Sequence, residues 1–148
     1  MKKIILKVTT ALVFSSLVFT GCSKKESASK DALKNQETRT IVDQVGHTVT
    51  LPKKVNRVVI ASVWPLASAY CLMFGTDKLV GLDPAIISAA ENSMLIKIVP
   101  EISNIESGFS KNGQLNAEEL LKLKPDVVLY ATGVMEDYEV ATQAGIPA

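Results

Sequence analysis

An α/β fold on a parallel sheet is the class this sequence predicts, and three observations predict it. Residues 58–61 (Val-Val-Ile-Ala), 79–81 (Leu-Val-Gly) and 126–130 (Asp-Val-Val-Leu-Tyr) are short apolar runs, as expected for strands buried on both faces. Helical patterns separate them. Helix start and stop signals fall at the joins, and strand–helix alternation means a parallel sheet with right-handed crossovers.

The elements follow in order. Residues 39–51 predict a β-hairpin: Thr40–Val42 and Thr48–Leu51 are β-branched runs, Gly46 supplies the turn, and Pro52 ends the second strand. Lys53, Lys54 and Arg57 form a solvated edge. After the first buried strand, Pro65 suits a first helical turn. Ala67, Tyr70, Cys71 and Phe74 then share one helix face, and Gly75 stands past its end. Asp83-Pro84 turns the chain after the second strand. Residues 86–98 contain a helix that Pro100 stops, and residues 104–113 (NIESGFSKNG) are a polar loop. Asn116 caps the next helix, with Glu119 at capping-box spacing. Residues 136–144 are a further helix, acidic in its first turn, with Gly145 after its end. Ile146-Pro147 begins a fourth strand. In such sheets ligands bind beyond the carboxyl ends of the strands, here residues 62–65, 82–84 and 131–134.

Ahead of this domain stands a different kind of segment. Lys2, Lys3 and Lys7 precede a 12-residue apolar stretch, 8–19, diluted by Thr9, Thr10, Ser15 and Ser16. The small residues Thr20 and Gly21 then lead to Cys22. That is the layout of a secretory signal. With Leu17-Val-Phe-Thr-Gly-Cys22 it resembles a bacterial lipobox, whose cysteine thiol is acylated. The stretch is short for a transmembrane span, which needs roughly 20 residues. Each buried acyl CH₂ contributes ~0.8 kcal/mol, so two or three chains hold a protein to a membrane. Residues 1–21 are thus expected to be a lipoprotein signal peptide. Residues 22–38, which lack aromatic residues and carry Leu33 as their one large apolar side chain, are a flexible lipidated tether. Residues 39–148 form the folded domain, extracytoplasmic and anchored through Cys22.

Charge and cysteine content narrow the function classes. The folded part carries nine Lys/Arg and twelve Asp/Glu, a net −3 with no basic block. That disfavours nucleic-acid binding, as does the scarcity of aromatic residues for base stacking. With Cys22 assigned to lipid, Cys71 stands alone in an apolar pattern and reads as a buried small hydrophobe.

Three ordered stretches resemble a known family. They are residues 41–52 followed by Arg57-Val58-Val59, Asp77-Lys78-Leu79-Val80-Gly81, and residues 115–129 (LNAEELLKLKPDVVL). Together they resemble the substrate-binding lipoproteins of iron–siderophore, haem and vitamin B12 ABC importers. The resemblance implies two α/β lobes joined by a long helix, with cargo held between them. It implies no enzymatic activity, no resident cofactor, and delivery to an ABC permease in the cytoplasmic membrane. Family members run to about twice this length. Residues 39–148 therefore correspond to an N-terminal lobe, with the second lobe absent. Half a cleft buries less ligand, so a chain of this length is expected to bind a chelate weakly or not at all.

Candidate ligand-binding residues are Ser62, Trp64, Phe109, Lys111, Asn112 and Thr132. Trp64, the sole tryptophan, stands at the end of the first buried strand, where it either faces a planar chelate or covers the sheet end. Phe109, Ser110, Lys111 and Asn112 lie in the polar loop that the family uses for ligand contacts. Lys111 there either pairs with an anionic chelate or is solvated. Thr132 and Gly133 follow the third strand, and Tyr130 is either a phenolate-type contact or, as the favoured reading, a strand-end core residue. Glu118 matches the carboxylate with which the family docks on permease arginines, although an acidic first turn also complements the helix dipole. His47, the only histidine, is a turn residue far from the strand ends. One histidine cannot supply a bare Zn²⁺ or Mn²⁺ site, so the cargo is metal already wrapped in a chelator.

Two other classes compete: a single-lobe interaction module and a flavodoxin-like extracytoplasmic enzyme. Neither Gly-x-Gly-x-x-Gly, a phosphate loop nor Gly-x-Ser-x-Gly supports the enzyme. The anchor is directly testable. Cys22→Ala is expected to move the protein from the membrane fraction to the soluble one, and tight membrane retention of the variant would remove the lipoprotein assignment.

Overall fold

A computed structural model describes residues 37–148. The signal segment, Cys22 and the tether up to residue 36 lie outside the described residues. The first strand begins at Thr38, one residue before the expected domain start.

Strands β1 (Thr38–Val42) and β2 (Thr48–Pro52) form the expected antiparallel hairpin, with Thr40 opposite Thr50. Its turn carries Gly46 at φ 93°, a left-handed conformation that suits glycine. Asp43 closes this turn by accepting the Val45 and His47 N–H groups on Oδ1, at 3.0 and 2.7 Å. Only Val49, Leu51 and Pro52 of the hairpin strands are buried; every residue of β1 is exposed.

The parallel sheet comprises β3 (Val58–Ile60), β4 (Leu79–Leu82) and β7 (Val127–Leu129), in the order β4-β3-β7. β3 and β7 run in register, Val59 beside Val128, while the β3–β4 register shifts after Val58. Central β3 is buried along its whole length. Its residues alternate between two cores. Val58 and Ile60 join a cluster with Cys71, Leu82, Ile86 and Ile102; Val59 and Ala61 join one with Phe109, Leu120, Val128 and Ala141. Burying each large aliphatic side chain contributes about 1.5–3 kcal/mol.

Helices and short strands wrap this sheet. Helix α1 (Trp64–Phe74) buries Ala67 and Cys71 on the expected face. Burial also pushes the Cys71 thiol pKa up, so it stays protonated. Phe74 does not join that core: it is the last residue of α1, 67% exposed, with its ring tilted against Tyr70. The expected helix at 86–98 is instead two, α2 (Pro84–Glu91) and α3 (Leu95–Ile98), followed by a 3₁₀ turn (Pro100–Asn104). Asp83 does more than turn the chain. It caps α2 through Ala85 N–H at 2.8 Å, and Pro84 opens the helix.

The polar loop contains a second small hairpin, β5 (Ser110–Lys111) with β6 (Gln114–Leu115). Helix α4 (Ala117–Lys122) is capped by Asn116, whose Oδ1 accepts from Glu118 and Glu119 N–H. The reciprocal half of a capping box is not made, because the Glu119 carboxylate pairs with Lys122 at 2.6 Å. Arg57 lies on the expected exposed edge, and its side chain is also engaged there. Its guanidinium donates to the carbonyls of Leu123 and Lys124, closing the end of α4, where a cation also complements the helix dipole. Helix α5 (Met135–Gln143) follows β7. The fourth strand expected at 146–147 is not formed, although Val128 N–H donates to the Pro147 carbonyl at 2.8 Å and so ties this segment to β7.

Gly81 marks the tightest packing around the sheet. A Cβ there would stand 2.9 Å from both Leu123 Cδ1 and Phe109 Cε1, and 3.1 Å from Val59 Cγ2. Overpacking of this kind costs about 1–3 kcal/mol. Gly81→Ala is therefore expected to lower the urea midpoint by that amount of stability, with an unchanged slope.

Candidate functional site

The sheet order fixes where a ligand crevice can open. From β3 the chain moves through α1 to β4 on one side, then returns across β3 to β7 on the other. The segments leaving β3 and β7 at their carboxyl ends therefore diverge, and a crevice forms at this switch point. Residues 61–63 make one wall and residues 130–134 the other.

Ser62 sits at the tip of the first wall with φ +60°, a left-handed conformation uncommon for a residue other than glycine. Two contacts hold this geometry. Ala61 N–H donates to the Leu129 carbonyl at 2.8 Å, tying the tip to β7. The Ser62 hydroxyl donates to Asp137 Oδ2, 3.3 Å away on α5. Asp137 is 1% exposed. Desolvation raises its pKa, the Ser62 bond opposes this, and the nearby Asp83 and Glu136 charges raise it further. Asp83 is also buried and accepts from Ser110 Oγ at 2.6 Å. The rim thus rests on two buried carboxylates, each held by a serine from a loop. Among the described residues no buried side-chain polar atom lacks a partner.

The sequence-predicted residues divide into three groups. Ser62 and Thr132 are exposed just past the ends of β3 and β7, and half-buried Trp64 begins α1 two residues after Ser62, packed against the first core. Lys111 and Asn112 are exposed at the β5–β6 turn, where Asn112 and Gly113 have φ 53° and 76°. Phe109 is 1% exposed and belongs to the second core. This corrects its placement in a solvated loop: its ring fills the space over Gly81 and is not presented to a ligand. Glu118 is exposed on the first turn of α4.

His47 also departs from expectation. Its ring stacks on Tyr138 of α5, centroids 4.1 Å apart, and Nδ1 lies 3.1 Å from Asp43 Oδ2 and 3.5 Å from the Tyr130 hydroxyl. The hairpin turn folds over the end of β7, so His47 sits at a strand end and not far from one. Tyr130 is half-buried and packs against the second core. Among the described residues no three His, Cys, Asp or Glu side chains converge to hold a metal.

A groove of about 840 Å³ opens on the flank of the sheet, between β1 and α1. Ile41, Val49, Leu66 and Phe74 line its sides and Val128 its floor, while Thr132 alone of the predicted contacts reaches it. It is mainly apolar, and Val63 with residues 130–132 in its lining brings it to the carboxyl ends of β3 and β7. No helix among the described residues is long and apolar enough to cross a membrane.

Solved structures with this fold are solute-binding proteins. The chain is similar to a periplasmic solute-binding protein from Veillonella parvula, at 30% identity and TM-score 0.67 over 76% of this chain and 34% of that one. It is similar to the molybdate periplasmic binding protein MolA of Haemophilus influenzae, at 27% identity and TM-score 0.58 over 74% and 33%. Helicobacter pylori CeuE, solved as a Ni-His complex, shares the fold at 24% identity and TM-score 0.58 over 74% and 35%. The chain spans about a third of the length of each. No protein-family model and no curated protein matches it. The fold is thus α/β with a parallel sheet, the architecture of one lobe of these solute-binding structures.

The buried carboxylate under the rim has a measurable signature. A carboxyl whose folded pKa is raised favours folding below its ordinary value of 3.8 and loses that contribution as pH rises through the folded value. Asp137→Asn is therefore expected to raise stability at neutral pH, with the difference vanishing below pH 3.8 in denaturant titrations across pH.

Proposed function

We propose that this chain is the N-terminal lobe of an extracytoplasmic solute-binding lipoprotein that captures a metal chelate of siderophore, haem or corrinoid type and hands it to an ABC permease. The observation that carries the reading is the topological switch between β3 and β7, with Ser62 and Thr132 exposed just past the carboxyl ends of these strands and Trp64 two residues after Ser62. The likeness to solute-binding proteins, one of them bound to molybdate, supports a metal-containing cargo. No catalytic step is required of such a site. Trp64 offers an apolar face, the Ser62 and Thr132 hydroxyls offer orienting hydrogen bonds, and Lys111 with Asn112 supplies a polar reach toward an anionic chelate. Glu118 projects from α4 and is the carboxylate we assign to permease arginines. Cys22 is the lipid attachment point.

Trp64 reports on the crevice because it is the only tryptophan. Ferric siderophore, haemin and cobalamin are each titrated against its fluorescence. Half a cleft is expected to bind weakly at most, so any quenching is expected only far above nanomolar ligand, and Thr132→Trp, read by equilibrium dialysis, is expected to abolish the binding. Nanomolar binding, or binding indifferent to Thr132→Trp, overturns the reading. Glu118→Lys is expected to leave ligand affinity within twofold while abolishing cross-linking to the permease.

A further inference from the structure

Asp43, His47 and Tyr130 bring three donor atoms to one point. Asp43 Oδ2 and His47 Nδ1 are 3.1 Å apart, and the Tyr130 hydroxyl stands 3.4 Å from the first and 3.5 Å from the second. The three come from both ends of the hairpin turn and from the end of β7. Each is fixed by contacts that leave its donor atom facing the others. Asp43 Oδ1 accepts two backbone N–H groups, which orients the carboxylate and leaves Oδ2 toward the triangle. Stacking on Tyr138 sets the plane of the imidazole. Strand β7 sets the position of Tyr130.

Asp43 and His47 are at ordinary hydrogen-bond distance, but the Tyr130 spacing is loose. O–H···O bonds favour about 2.7–2.8 Å, yet the Tyr130 hydroxyl lies well beyond that from both neighbours and has no shorter protein partner. Ligand atoms held about 2.0–2.2 Å from a transition-metal ion, at tetrahedral or octahedral angles, stand roughly 3.0–3.5 Å from one another. The observed triangle matches that spacing. Asp43 and His47 are partly exposed, so an ion has access and water can complete its coordination.

We propose that Asp43, His47 and Tyr130 form a binding site for a borderline divalent cation of the Cu²⁺ or Ni²⁺ class. One imidazole nitrogen, one carboxylate and one phenol oxygen suit such ions, and Cu²⁺ binds tightest of the series. The ion exchanges bound waters for these donors. His47 gives its Nδ1 lone pair with its proton on Nε2, and Tyr130 releases its phenolic proton to solvent. This site goes beyond the importer reading and does not rest on it.

The test is a Cu²⁺ titration of the full chain, read by electron paramagnetic resonance and visible absorption. Saturable one-to-one binding is expected, with coupling to a single imidazole nitrogen and a phenolate charge-transfer band. Because His47 is the only histidine, His47→Gln removes the nitrogen signal outright and is expected to weaken binding at least tenfold. Tyr130→Phe preserves the ring and is expected to abolish the charge-transfer band while retaining native circular dichroism. Absence of Cu²⁺ binding, or binding equal in the wild type and both folded variants, overturns the site; the triangle is then a hydrogen-bonded or water-bridged network only.

Discussion

The burial of β3 on both faces is the constraint on which the rest of this structure depends. Three residues, Val58, Val59 and Ile60, connect the two cores by pointing alternately into each. A one-residue slip would exchange the cores' occupants and leave the large side chains facing the wrong spaces. The flanking strands take their register from this one. The divergence of the segments after β3 and β7, and with it the crevice, follows from β3 being central.

Much of this was legible because burial leaves a strong sequence signal. A strand covered on both faces has to be apolar throughout, and 58–60, 79–82 and 127–129 declare themselves on that ground. Asn116 before α4, Pro65 within α1 and Gly46 in the first turn act through local backbone chemistry, which neighbouring residues suffice to specify. The positions of Ser62 and Thr132 on the rim follow from topology once the strands are known.

What escaped was either a local signal passed over or a contact across long sequence separation. Asn112-Gly113 is a hairpin-turn dipeptide, and both residues adopt positive φ between β5 and β6. Reading it would have ended the polar loop at Ser110 and turned Phe109 inward. Asp83-Pro84 similarly spells a cap followed by a first-turn proline. No local pattern, in contrast, announces that Arg57 closes α4, 66 residues away, or that His47 meets Tyr130, 83 residues away. Those contacts depend on how the hairpin and helices are laid over the sheet, and side-chain type alone does not encode that.

The left-handed tip at Ser62 has a consequence for recognition. Its backbone is already in the conformation it needs, tied to β7 on one side and to a sunken acid on the other. A molecule arriving at this wall has no loop to freeze, so little of its contact energy is spent on ordering. Selectivity at such a surface comes from shape that refuses to yield, and guests that do not match it gain nothing from waiting.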